Sequence, residues 1–236
     1  MCTNSSLYCI YLVMIDALSE YLSKKYSDSA IAPPFHYQTI IIQKTTQMLH
    51  TFESLTREGI DVVSARCLLR GILDNIAVYC FIYERDSEIE VLFRHYLYAL
   101  DGIKIYRDNV VNNIVIVNEK KPILYYCDEI LQQLNSRLSC HPYSQLDNIN
   151  VNEIINMANW RYETLNNPRK LSYLKLYKEI GFEEKTANYY QSFFSQFSHG
   201  LFLSNIEQKT SVSIRDVLNE SIPIISVPLK LGRVKY

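Results

Sequence analysis

Three charged residues lie at intervals of four in an otherwise apolar stretch, and their types suit the binding of an anion. Arg66, Arg70 and Asp74 are the only charged residues between Asp61 and Glu84. On a helix of about 3.6 residues per turn, positions i, i+4 and i+8 form one stripe. A guanidinium binds a carboxylate or a phosphate through two parallel hydrogen bonds. The stripe is therefore a candidate site for phosphate binding or phosphoryl chemistry.

The charges of this stripe leave two interpretations open. Two arginines and one aspartate carry an excess of one positive charge, and burying a charge is costly unless it is paired. In the functional interpretation, a bound anion balances the excess. In the structural interpretation, another acid of the chain closes an ion-pair network that fixes helix packing. Gly71, inside the stripe, would let a neighbouring helix or a ligand approach the arginines closely.

A later stretch adds a polar face that ends in a histidine. Ser192, Ser195, Gln196 and His199 recur at helical spacing, and Gly200 marks the predicted helix end. A helix C-terminus favours the protonated imidazole, and histidine transfers protons near neutral pH. The alternative is that His199 caps the helix or binds a core carboxylate.

Motifs for metals and nucleotide cofactors are missing from the sequence. It contains no His-Glu-x-x-His, no Cys-His cluster, no GxGxxG, no phosphate loop and no GxSxG. The six cysteines have no CxxC spacing, which is typical of free thiols. We therefore expect no metal ion and no cofactor.

The elements that must position these residues are predicted to be helices. With 6 Gly and 7 Pro in 236 residues, the chain disfavours turn-rich sandwiches and barrels. Periodicity and breaks predict an all-α fold, a single bundle of about seven to nine helices, in one domain over residues 1–220. The predicted helices cover 7–26, 35–57, 62–84 with Asp61 as N-cap, 87–109, 122–138, 152–161, 172–180 and 183–203.

Residues 221–236 are predicted to form an extended basic arm. Pro223 and Pro228 interrupt a β-branched stretch, and the charged residues that follow are Lys230, Arg233 and Lys235. Such an arm would bind a protein partner or a second copy of the chain. The net charge of −1 gives no general attraction to nucleic acid, and no apolar run is long enough to span a membrane. A cytoplasmic protein without membrane contact is expected.

The two motifs resemble a family of uncharacterised bacterial helical proteins, known as a domain of unknown function. Its signature, an Arg-x-x-x-acid helix followed by a late Ser/His helix, matches Ala65-Arg66-Cys67-Leu68-Leu69-Arg70-Gly71-Ile72-Leu73-Asp74, Tyr190 and Ser195-Gln196-Phe197-Ser198-His199-Gly200. The resemblance spans roughly residues 35 to 204. The family acid is usually Glu, whereas this chain has Asp74, which is one methylene shorter.

More loosely, the chain resembles HEPN-type proteins, helical bundles that often cleave RNA in bacterial defence and toxin systems. Their ribonucleases carry Arg and, four to six residues later, His on one helix, a spacing that this chain lacks. The resemblance implies that Arg and His come from different helices. Arg70 would then hold the scissile phosphate and His199 would transfer the proton, with Asp74 as the third catalytic residue. The substrate-binding residues would be Arg66, Ser195 and Ser198.

Two hypotheses of function follow. The first is a bacterial defence or toxin-type effector that cleaves RNA without a metal, or binds RNA or a nucleotide phosphate. The alternative is a non-enzymatic helical protein-interaction module with a structural Arg-Asp-His network in its core. Whether the chain is an enzyme depends on whether Arg70 opens to solvent beside His199.

Overall fold

The computed structural model describes residues 33–57, 61–112, 120–198 and 214–234. These residues form eight α-helices, one short 3₁₀-helix and one two-stranded sheet, which confirms the predicted all-α fold. The helices are α1 (Pro33–Arg57), α2 (Val62–Tyr83), α3 (Glu88–Asn112), α4 (Lys120–Ser139), α5 (Ile149–Asn156), α6 (Tyr173–Glu179), α7 (Glu184–Ser198) and α8 (Ile214–Val234). The 3₁₀-helix is Pro142–Gln145, and the strands are β1 (Tyr162–Thr164) and β2 (Asn167–Lys170).

The chain divides into two compact units. Unit 1 comprises the described residues of Met1–Phe81 and Tyr173–Tyr236, and unit 2 comprises those of Ile82–Ser172. Each unit has its own buried apolar side chains. The domain boundary predicted at residue 220 stays a prediction.

Helix α2 supplies much of the core of unit 1 and carries the predicted stripe. It begins as predicted, because Asp61 Oδ1 accepts the backbone N–H of Ser64 at 3.1 Å and so caps the helix. Leu69, Ile72 and Leu73 are fully buried. A helix with so little polar surface gains its stability from burial on several sides.

The side chain of Met48 on α1 fills the space beside Gly71 on α2. A Cβ added at Gly71 would overlap the terminal methyl of Met48 on α1. The Met48 sulfur also accepts a hydrogen bond from Asn75 Nδ2 at 3.4 Å. The group next to Gly71 is therefore a side chain of a neighbouring helix, as in the first of the two roles that its position predicts.

The extended arm predicted for residues 221–236 is wrong for its described part, which belongs to α8. Pro223 and Pro228 each remove one backbone donor, at a cost of about 3 kcal/mol in a helix interior. Burial of one face of α8 outweighs that cost. The buried residues of this face recur at helical spacing and are Val217, Leu218, Ser221, Ile224, Ile225 and Val227. Tertiary packing therefore overrides the local proline signal.

Unit 2 is built on the antiparallel pair of α3 and α4, followed by a small hairpin. The predicted helix 152–161 is wrong beyond Asn156, because α5 ends there and Ala158 adopts the left-handed conformation with φ of 48°. The chain then enters β1, which pairs antiparallel with β2. Buried Trp160 and Tyr162 fix this hairpin in the core of the unit. Aromatic burial determines the local structure there.

Candidate functional site

The excess positive charge of the stripe is balanced by an acid from α8. Arg66 donates from Nε to Glu220 Oε2 at 3.0 Å and from Nη2 to Glu220 Oε1 at 2.8 Å. The two side chains are only 3% and 13% exposed. This is the bidentate geometry in which a guanidinium binds a carboxylate most strongly. Glu220 is thus the further acid that the structural interpretation requires.

Aromatic residues of α7 surround this buried pair. The Arg66 guanidinium lies 4.7 Å from the ring centre of Phe193 and 5.0 Å from that of Phe197. The hydroxyl of Tyr189 donates to Glu220 Oε1 at 3.2 Å, and burial together with the Glu220 charge raises the pKa of that hydroxyl. Tyr190 donates to the backbone carbonyl of Glu220 at 3.2 Å. The pair therefore ties α2, α7 and α8 together.

Arg70 and Asp74 form a second ion pair, which is more open to solvent. Arg70 Nε donates to Asp74 Oδ2 at 3.0 Å, and the side chains are 14% and 29% exposed. The buried hydroxyl of Tyr177 on α6 donates a short hydrogen bond to Asp74 Oδ1. Burial, and then the Asp74 charge, raise the pKa of Tyr177. The hydroxyl therefore stays protonated and holds the carboxylate in place.

A backbone carbonyl brings Arg70 and Ser195 together. Arg70 Nη1 donates to the carbonyl of Gln191 at 3.3 Å, and the Ser195 hydroxyl donates to the same oxygen. Both arginine ion pairs and this carbonyl lie in unit 1. Three of the predicted site residues, Arg70, Asp74 and Ser195, are thus neighbours.

Of the other predicted site residues, Arg66 is separate from this group, and the side chains of Ser198 and His199 are outside the described part of the structure. Arg66 pairs with Glu220, whereas the ion pair described for Asp74 is with Arg70. Ser198 is the last residue of α7, and nothing is described of its side chain. His199 lies outside the described residues, so its predicted role in proton transfer stays a prediction.

The acceptor and the donor that complete these ion pairs could not be identified from the sequence. Glu220 lies 154 residues from Arg66, and Tyr177 lies 103 residues from Asp74. The charge excess predicted that a further acid was needed, but no spacing rule connects positions so far apart. Only the unpaired charge was a signal in the sequence.

Three further observations concern metal ligands, membrane-spanning helices and similarity to known proteins. Within the described ranges, no group of three or more His, Cys, Asp or Glu side chains is placed to hold a metal ion. Across the same ranges, no helix has the length and apolar character needed to cross a bilayer. Comparison of the chain with protein-family models, curated proteins and solved structures finds no match.

Proposed function

We propose that this chain is a non-enzymatic helical interaction module of a bacterial defence or toxin-type system. The observation that carries the proposal is the bidentate pair of Arg66 with Glu220, both largely buried. In this pair, Glu220 provides from within the protein the negative charge that a bound anion would otherwise provide. The stripe then stabilises helix packing, and the assignment to defence or toxin systems rests on the resemblance alone.

The surface of unit 2 supports binding to another protein. Tyr125, Tyr126 and Ile149 are 66%, 59% and 83% exposed. Exposed aromatic residues are enriched where proteins bind one another. In the sequence, the basic residues Lys230, Arg233 and Lys235 offer a second candidate for partner binding, one that is positively charged rather than apolar.

Light scattering tests the association without disturbing the core. Removal of residues after Ser221 would also remove buried Ile224 and Ile225, so charge reversal is the cleaner change. We expect the mass of the protein to fall towards that of one chain when three basic residues are reversed, Lys230→Glu, Arg233→Glu and Lys235→Glu. The matched control reverses three exposed lysines elsewhere, Lys44→Glu, Lys121→Glu and Lys185→Glu. A wild-type protein that is monomeric alone and in a bacterial lysate would contradict the proposal.

Metal-independent RNA cleavage is the second candidate function, and the partial exposure of Arg70 favours it. Arg70 lies beside Ser195, and His199 follows Ser195 by four residues in the sequence. Arg70 would hold the scissile phosphate and His199 would transfer a proton. Asp74 keeps the guanidinium in position through its hydrogen bond to Nε.

Cleavage assays separate the two candidates. Wild type, His199→Ala and the control His50→Ala, an exposed histidine of α1, are compared at equal folded concentration without divalent ions. If the protein is a ribonuclease, His199→Ala loses cleavage by about 100-fold or more and His50→Ala does not. Intact RNA in all three reactions supports the interaction module.

A further inference from the structure

We infer that the solvent-facing edge of the Arg70 guanidinium binds a carboxylate of a protein partner. The inference rests on the proposed function as an interaction module and names the chemistry that anchors the partner. It adds a binding role to Arg70, whereas Arg66 keeps its structural role with Glu220.

The hydrogen bonds of Arg70 leave part of its donor capacity unused. A guanidinium has five N–H groups. One N–H of Nε binds Asp74 and one N–H of Nη1 binds the Gln191 carbonyl. The Arg70 side chain is 14% exposed, and the hydrogen bonds described for it come from Nε and Nη1. Nη2 and the second N–H of Nη1 can therefore donate hydrogen bonds to one oxyanion.

The surroundings of Arg70 hold its guanidinium in one orientation. Asp74 fixes Nε, and the Gln191 carbonyl fixes Nη1. The rings of Tyr177 and Tyr173 lie 5.4 Å and 6.0 Å from the guanidinium carbon, which limits its rotation. A donor pair that is already oriented loses less conformational entropy when a ligand binds.

The charge of the site favours a singly charged oxyanion. Asp74 lies 3.0 Å from Arg70 Nε and cancels most of the arginine charge. A phosphate dianion would meet this carboxylate with two negative charges, whereas a carboxylate brings one. Two parallel hydrogen bonds to a carboxylate add both energy and geometric specificity to the attraction that remains. An acidic side chain or a chain terminus of a partner protein meets these conditions.

Titrations of the full-length protein with simple anions test this inference. The probes are sodium acetate, inorganic phosphate and sodium chloride, each at the same ionic strength and pH 7. The readout is the backbone amide NMR resonance of Gln191, whose carbonyl contacts Arg70. We expect a saturable shift with acetate, an apparent Kd for acetate at least about threefold lower than for phosphate, and no saturation with chloride.

Two variants show whether Arg70 is the binding group. Arg70→Gln removes the donors, and Arg70→Lys keeps the charge and the Asp74 pair but loses the planar pair of N–H groups. Both should lose the saturable acetate shift, while Arg107→Gln in unit 2 keeps it. An acetate response that survives in Arg70→Lys would contradict the inference.

The remaining outcomes separate this inference from the proposed function. Tighter binding of phosphate than of acetate overturns the carboxylate and favours the RNA-cleaving candidate. A lack of any saturable response overturns the site as a whole. Neither result changes the mass measured by light scattering, so the interaction module and its Arg70 anchor fail independently.

Discussion

Arginine–carboxylate pairs in this protein differ in how far solvent reaches them. Arg66 and Glu220 are nearly enclosed, whereas Arg107 and Asp128 are 36% and 54% exposed with an N–O distance of 2.7 Å. A buried charge that loses its partner cannot be solvated, but an exposed one is rehydrated. Ion pairs with similar N–O distances therefore contribute differently to the free energy of unfolding.

Replacing the acid of the enclosed pair should destabilise unit 1 strongly. Glu220→Gln preserves the shape of the side chain but leaves the Arg66 charge unbalanced, and we expect a loss of about 3–5 kcal/mol in the free energy of unfolding. Urea denaturation followed by circular dichroism measures it. The matched control Asp128→Asn should leave the denaturation midpoint unchanged. Equal midpoints for Glu220→Gln and wild type would show that the pair does not stabilise the fold.

Tyr177→Phe removes only the hydroxyl that holds Asp74. Hydrogen bonds to charged groups contribute about 1.5–3 kcal/mol, and we expect a loss in that range. The control is Tyr125→Phe, because the Tyr125 side chain is 66% exposed. Denaturation of the two variants under the same conditions gives the difference. If Tyr125→Phe costs as much as Tyr177→Phe, the Asp74 contact does not account for the effect.

For single residues, the sequence predicted that the three charged residues of the stripe lie on one helix face, but it did not predict which residues bind them. Arg66, Arg70 and Asp74 lie on one helix because their spacing matches the helical repeat. Their partners Glu220 and Tyr177 come from helices distant in the chain, and tertiary packing decides which distant residues meet. Residue spacing carries information only within one element.

Helix α8 shows how an element's context determines its conformation. Its sequence favours an extended chain at the two prolines, yet its apolar residues recur at the spacing of a helix face. Both signals are present in the sequence, and the burial of that face decides between them. The extended arm predicted from the prolines and the β-branched residues was therefore wrong for the described residues.

Pro223→Ala should stabilise α8. Pro223 is exposed and lies inside the helix, so alanine restores a backbone donor for the carbonyl of Asn219 without a loss of core packing. We expect a gain of up to about 3 kcal/mol in the free energy of unfolding. The control Pro142→Ala replaces a proline at the start of the 3₁₀-helix, where proline is tolerated, and should have little effect. Destabilisation by Pro223→Ala would contradict this account.

The composition of the chain does not indicate its division into two compact units. A shortage of Gly and Pro with helical periodicity predicted the all-α class. Unit 1, however, joins segments from both sides of unit 2 along the chain. Such long-range association leaves no periodic pattern in the sequence, so the fold class was predictable and the two units were not.

We expect unit 2 to be sensitive to acid, because two of its histidines are buried and neutral. His141 Nδ1 accepts the backbone N–H of Tyr143 at 3.2 Å, so Nε2 carries the proton and donates to the Ile89 carbonyl at 3.1 Å. His95 is 2% exposed and shares a 3.0 Å hydrogen bond with Tyr83. Burial, and then the charge of Arg137, lower the pKa of His95 to about 4, and burial also lowers the pKa of His141.

The stability of unit 2 should therefore fall as the pH drops from about 6.5 to about 4. In this window the unfolded chain binds protons on His95 that the folded chain excludes, so the free energy of unfolding rises with pH. His95 alone accounts for a change on the order of 3 kcal/mol. Trp160, the one tryptophan of the chain, is buried in unit 2, and its fluorescence during urea denaturation at several pH values reports that unit. His95→Gln should flatten the dependence, whereas the exposed His50→Gln should not, and a wild-type midpoint that is constant from pH 7 to pH 4 would contradict this account.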